Sequence, residues 1–215
     1  MPNTVSLAVY DFDGTMIAGD SIASLVRYVY KKKRLTGQEL LKVLLIALLY
    51  LLGVLEEREA KEKSLGFIRR MTPGEQDALF SGFARDVLLP AIYPKALNSM
   101  MRHREQGRKI LVVSASPDLY MRHLAAELPV DAVLATPVGR DGSVGPNCKG
   151  EEKVRRINAW LDEQGLRADW ATSFAYGDSA ADSDFMQLAG NPVAVNPKRG
   201  LKAKMGSIPR KAWGN

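Results

Sequence analysis

The chain has 215 residues, 46% of them hydrophobic and 25% charged, with a net charge of +6. That composition excludes a disordered or fibrous chain and suits one large domain or a core domain with a smaller insertion. Cys148 is the only cysteine, so no intrachain disulfide forms, and the N-terminus shows neither a basic leader nor a small-residue cleavage site. The expectation is a reducing, cytoplasmic setting.

Residues 4–11 read as a first strand, running through Val5-Ser6-Leu7-Ala8-Val9-Tyr10 into Asp11-Phe12-Asp13-Gly14-Thr15. From about 20 to 105 nearly everything reads helical. Ser21 is placed as the cap of a helix over 21–30. Thr36-x-x-Glu39 is a capping box opening an apolar helix that ends near Gly53. Residues 56–70 mix opposite charges at helical spacing, and Thr72-Pro73-Gly74-Glu75 starts another helix with proline in its first turn. Residues 93–105 form one more.

After Gly107 the texture changes. Lys109-Ile110-Leu111-Val112-Val113-Ser114 is a buried strand, and Ser116-Pro117 then starts a helix to about 127. A strand over 131–135, a hairpin turn at Arg140-Asp141-Gly142, a helix over 151–164 and strands over 171–176 and 192–195 follow. Strands alternating with helices predict an α/β fold with a Rossmann-like parallel sheet. The expected division is a core of 1–16 with 93–215 and an inserted helical cap of 17–92 between the first two strands.

In such a sheet ligands sit beyond the carboxyl ends of the strands. Four polar groups converge there: Asp11 with Asp13, Ser114, a lysine at 149 or 153, and Asp178 with Asp182. Taken singly, Ser114 reads equally as a helix-start residue, the lysines as surface charges, and Asp178 and Asp182 as helix caps. Their coincidence in this order favours one site. A carboxylate pair two residues apart divides the labour of phosphate transfer, one attacking and the other handling the leaving-group proton. Asp184 reads as solvated, and His103 and His123 lie on helices away from these motifs.

Asp11-Phe12-Asp13-Gly14-Thr15, Val112-Val113-Ser114-Ala115-Ser116, Cys148-Lys149-Gly150-Glu151-Glu152-Lys153 and Gly177-Asp178-Ser179-Ala180-Ala181-Asp182 resemble the four motifs of the haloacid dehalogenase superfamily. The resemblance is to its phosphoserine-phosphatase-like hydrolases, and Gly190-Asn191-Pro192-Val193-Ala194-Val195-Asn196-Pro197 is similar to that group too. It implies a Mg²⁺-dependent phosphatase with an aspartyl-phosphate intermediate on Asp11 and with Asp13 as general acid and base. Asp11, Asp178 and the Asp13 backbone carbonyl are the implied metal ligands, and Asp182 holds a metal-bound water or orients the lysine. Ser114 and the backbone of Asp13, Gly14 and Ala115 are implied for the phosphate. Within the resemblance Cys-x-Gly-x-x-Lys selects Lys153, with Lys149 as fallback.

The substrate is left open. Asp20 lies where phosphoserine phosphatases carry an acid that meets the substrate amine, and it reads equally as an acid at a helix N-terminus. Ser114-Ala115-Ser116-Pro117 lacks the paired glycines of those enzymes, and GDSAAD replaces their GDGAND. From Val43 to Leu55 thirteen residues carry no charge. At ~1.5 Å per residue this run is too short to span the ~30 Å hydrocarbon core. With Lys31-Lys32-Lys33-Arg34 before it, it either docks peripherally on a membrane, making the substrate a lipid headgroup phosphate of the phosphatidylglycerophosphate type, or packs inside the cap or a dimer interface. Phosphotransfer to an alcohol acceptor and a non-catalytic phosphoester-binding role are the alternatives of other classes. The basic tail (Lys198, Arg199, Lys202, Lys204, Arg210, Lys211) suits anionic partners. No zinc-ligand spacing or RNA-binding aromatic motif accompanies it, so nucleic acid is not expected.

Overall fold

The computed structural model describes residues 3–214. Its strands are β1 (Asn3–Val5), β2 (Leu7–Tyr10), β3 (Lys109–Pro117), β4 (Ala132–Thr136), β5 (Leu166–Ala168), β6 (Phe174–Gly177), β7 (Asn191–Val195) and β8 (Arg210–Lys211). Between β2 and β3 lie α1 (Ser21–Lys31), α2 (Gly37–Leu51), α3 (Glu57–Ser64), α4 (Pro73–Phe83), α5 (Leu89–Ala91) and α6 (Pro94–Glu105). The remaining helices are α7 (Asp118–Ala125), α8 (Glu151–Glu163), α9 (Ser183–Met186) and α10 (Arg199–Met205).

The main sheet runs β4-β3-β2-β6-β7-β8 with every pairing parallel. Its strands alternate faithfully. Leu7, Val9, Leu111 and Val113 pack on one face with Ile157 and Leu161 of α8, while Ala8, Tyr10, Ile110 and Val112 pack on the other with Met100 of α6 and Leu124 of α7. A parallel sheet buried on both faces needs this apolar content in both registers.

The N-terminal strand expected over 4–11 is broken at Ser6, whose hydroxyl donates to the Thr172 carbonyl (2.9 Å). β1 therefore pairs with β5 in a small separate sheet, and β2 alone enters the main one. The helix expected over 56–70 also divides. α3 stops at Ser64, and a 3₁₀ turn over Gly66–Arg70 buries Phe67 and Ile68.

The expected capping box forms between Thr36 and Glu39 on α2, and Thr72 with Glu75 makes a second one at the start of α4. The cap of α1 is Asp20 and not Ser21: the Asp20 carboxylate accepts from the amides of Ile22 and Ala23 (2.8 and 3.0 Å). α2 ends at Leu51, short of Leu55, where Gly53 takes the left-handed conformation (φ +71°) that closes helices. Among the described residues no helix is long and apolar enough to cross a membrane. The ends of the helical insertion meet, because Ile17 and Ile92 form an antiparallel bridge and the Tyr93 amide donates to the Met16 carbonyl (2.9 Å).

Behind the site, Tyr10 and Tyr176 stack (ring centroids 4.4 Å apart), and His103 Nε2 shares a hydrogen bond with the Tyr176 hydroxyl (2.8 Å). Burial, with Arg108, Lys211 and Arg102 nearby, pushes the imidazole pKa down to about 4. In the unfolded chain the group titrates near ~6.5. Its stabilising contribution is thus complete above that value and is lost as pH falls toward 4. Thermal melts of wild type and His103→Gln should converge in that window, the wild-type advantage shrinking with acid.

Candidate active site

Asp11 follows directly on β2, and its amide donates to the Tyr176 carbonyl (2.9 Å), which extends the sheet by one residue. The chain then turns sharply. Gly14 sits at φ +83°, and a Cβ there would collide with the Asp178 carboxylate, so only glycine lets the two loops approach. On the other side of β2, the end of β3 shifts register between Ser114 and Pro117. This irregularity presents Ser114, Ala115 and Ser116 at the same edge. Together these loops floor a cavity of about 480 Å³.

Asp11 is buried in an ionic cluster. Its Oδ1 lies 2.6 Å from Lys153 Nζ, and its Oδ2 accepts from Thr15 Oγ1 (3.0 Å). Lys153, at the start of α8 and itself buried, also donates to Asp182 Oδ1 (2.7 Å) and lies over the Phe185 ring. Asp182 Oδ2 accepts from the amide and hydroxyl of Ser179 (3.0 and 2.8 Å). Both Asp182 oxygens are thereby occupied, which fits an orienting role better than direct ligation. Lys149, the alternative lysine, points instead to Glu57 on α3 (2.6 Å).

One carboxylate oxygen from each of Asp11, Asp178 and Asp182 lies within 4.8 Å of the others. Burial and the Asp182 and Asp178 charges push the Asp11 pKa up, with Lys153 opposing. Burial raises that of Asp178 as well, while Lys153 and Ser179 hold Asp182 low. Asp178 Oδ2 is buried without an aligned hydrogen bond, although the ammonium of the otherwise exposed Lys198 lies 2.7 Å away. Three acids with one buried ammonium leave an excess of negative charge. Three clustered carboxylates make an all-oxygen donor set, which suits a hard divalent cation such as Mg²⁺.

Asp13 is housed differently. Its Oδ2 accepts from Ser116 Oγ (2.6 Å) and Ser21 Oγ (2.9 Å), and its Oδ1 accepts from the Ser21 amide (2.9 Å). The Tyr120 hydroxyl lies 2.8 Å from Ser21 Oγ. With the single Ser21 proton directed at Asp13, Tyr120 must be the donor in that contact. Burial pushes the Asp13 pKa up to about 6, against the Ser116 and Ser21 hydrogen bonds that hold it down.

A family model of haloacid dehalogenase-like hydrolases matches residues 8–187. The chain belongs to that family. This haloacid dehalogenase-like hydrolase is 26% identical over 217 residues to a histidinol-phosphatase of Neisseria meningitidis, covering 97% of this chain and 96% of the relative. A Bordetella pertussis protein of unknown function has a solved structure that superposes with a TM-score of 0.85 at 26% identity, covering 98% of each chain. A phosphoserine phosphatase, solved as a phospho-aspartyl intermediate analogue, superposes at 0.69 with 18% identity over 97% of this chain and 95% of that one, a likeness of fold. The hydrolase is thus a phosphatase with a phosphoserine-phosphatase-like fold.

The fold brings Asp11, Asp13, Ser114, Ala115, Lys153, Asp178 and Asp182 to one cavity, and Asp20 and Lys149 to its wall. His103 and His123 stay outside it. Sequence reasoning missed Ser21, Tyr120 and Lys61, and it read Ser116 only as a helix-start residue. Ser116 stands two residues past Ser114, on the same side of an extended strand, which is the one available signal. Ser21 and Tyr120 reach Asp13 only through tertiary contact. Lys61 reads as one solvated charge in Glu-Arg-Glu-Ala-Lys-Glu-Lys, yet it is buried and donates to the Ala115 carbonyl (2.8 Å) and to Glu57 (2.8 Å).

The hydroxyl cage makes a pH prediction. Removing the Ser116 donor disfavours the Asp13 carboxylate and raises its pKa. In Ser116→Ala the alkaline fall of kcat/KM for an alkyl phosphate should therefore move upward by on the order of one pH unit, the worth of one hydrogen bond to a charged group. An aryl phosphate, whose leaving group needs no proton, should show no such fall.

Proposed function

We propose that the enzyme hydrolyses phosphomonoesters by passing the phosphoryl group through Asp11. Two carboxylates in one cavity with opposite surroundings carry this reading: Asp11 among ammonium and carboxylates, Asp13 inside a cage of hydroxyls. Environments that differ in this way assign different chemistry to like groups.

In the first half-reaction an Asp11 oxygen forms a bond to phosphorus while the bond to the leaving oxygen breaks. Asp13 gives its proton to that oxygen. In the second, Asp13 takes a proton from water as the water oxygen attacks the aspartyl-phosphate, and phosphate departs with Asp11 restored. Ser114 and the amides of Asp13, Gly14 and Ala115 hold the phosphoryl oxygens, and Lys153, kept charged by Asp11 and Asp182, offsets the equatorial charge. Asp11, Asp178 and the Asp13 carbonyl would hold Mg²⁺, with Asp182 acting through Lys153 or a water. When bound, that cation screens the incoming phosphate dianion from Asp11.

The helical residues 17–92 act as a cap over a core of 1–16 and 93–215, and they supply Asp20, Ile22, Tyr50, Glu57 and Lys61 to the cavity wall. A small phosphorylated metabolite is the first substrate class. The phosphoserine- and histidinol-phosphatase relatives point to one bearing an amine, which Asp20 would meet. A lipid headgroup phosphate is the second reading, favoured by the exposed leucines of α2. A panel of phosphoserine, sugar phosphates, phosphocholine and micellar phosphatidylglycerophosphate, assayed with and without Mg²⁺ and with added alcohol acceptors, tests it. Mg²⁺-dependent release of phosphate is expected, and turnover of none would overturn the reading.

A further inference from the structure

Leu41, Leu44, Leu45, Leu48, Leu51 and Leu52 are each more than half exposed. At 3.6 residues per turn they fall on one side of α2 and its last turn, a stripe about a third of the circumference wide. The opposite side faces the protein. Val43 is buried, Ile46 shares a groove with Phe67, and Tyr50 reaches the catalytic cavity. An apolar stripe this continuous on a water-facing helix calls for an occupant.

Charge and size select among occupants. Lys31, Lys32 and Lys33 are exposed just before α2, and none of them makes an ion pair among the described residues. A second copy would bring the same unpaired cations and the same +6 charge against this face. A stripe of six leucines also falls well below the ~20–30 residues a side of a stable protein interface. We propose that this face docks on a bilayer carrying anionic lipid, with the leucines of α2 in the interface and Lys31, Lys32 and Lys33 at the headgroups. Because Tyr50 projects from the far side of the same helix, docking holds the catalytic cavity about one helix diameter (~10 Å) from the lipid surface. The proposal does not depend on the chemistry assigned to Asp11.

Co-sedimentation tests it, using vesicles of phosphatidylglycerol with phosphatidylcholine against vesicles of phosphatidylcholine alone. Binding is expected to the anionic vesicles at low salt and should weaken as salt screens the lysines. Leu45→Glu with Leu48→Glu should abolish it. Lys31→Glu, Lys32→Glu and Lys33→Glu together should weaken it by at least about a hundredfold. Because the substituted side chains are exposed, both variants should keep the wild-type melting transition. No binding, or equal binding to neutral vesicles, overturns the proposal. So does a dimer in light scattering that the leucine variant makes monomeric, because the face would then belong to a second copy. Hydrolysis of a soluble aryl phosphate by the same samples reports on the phosphatase reading separately.

Discussion

Asp11→Asn is expected to lose phosphatase activity by on the order of 10⁴-fold or more, because Asp11 is the proposed acceptor of the phosphoryl group. The substitution is nearly isosteric and leaves Lys153 bonded to Asp182. It also removes one of three clustered carboxylates, the one whose pKa burial and the Asp182 and Asp178 charges raise. The metal-free variant should consequently melt at or above the wild-type temperature. Steady-state turnover of an aryl phosphate and a thermal melt on one preparation read both effects. Loss of activity together with loss of fold would mean that Asp11 is a structural acid.

Lys153→Met should damage fold and chemistry together. The ammonium is buried and bridges Asp11 and Asp182, so its removal leaves Asp11, Asp178 and Asp182 clustered without a buried counterion. Removing one member of a buried ionic cluster typically costs ~3–5 kcal/mol, and removing one transition-state donor ~10²–10³-fold in kcat. Mg²⁺ should recover part of the stability and little of the rate. Lys149→Met is the control: that lysine is half-exposed and pairs with Glu57 at the rim, so near-normal kcat is expected. An inactive Lys149→Met beside an active Lys153→Met would reverse the two assignments.

The contrast between these lysines shows where the sequence was legible. Motif order placed the carboxylates, Ser114 and the lysine pair at strand ends, because a parallel sheet with period-2 apolar strands leaves little choice about where those ends lie. What stayed hidden depends on contacts between distant residues. Ser116 and Asp13 are 103 positions apart, Ser21 and Tyr120 are 99 apart, and Lys61 and Ala115 are 54 apart. No local pattern encodes such pairings. Asp20 was visible as an acid at a helix start, and its carboxylate does cap α1. The same side chain also borders the cavity, where the proposed substrate would lie. The break at Ser6 was hidden for a related reason: β1 lies one residue before β2 but finds its partner in β5, a strand 163 residues further along the register. Periodicity reports which face a residue uses and not which neighbour it pairs with.

The covalent step can be read on the protein itself. Wild type mixed with an aryl phosphate and Mg²⁺ is quenched in acid within the first turnover, digested and analysed by mass spectrometry. The same is done with Asp13→Asn, in which the loss of the base for hydrolysis should prolong the intermediate. A phosphoryl adduct on the peptide carrying Asp11, stronger in Asp13→Asn and absent from Asp11→Asn, is the expected result. Turnover with no adduct in either protein, or an adduct on a different residue, would contradict nucleophilic attack by Asp11.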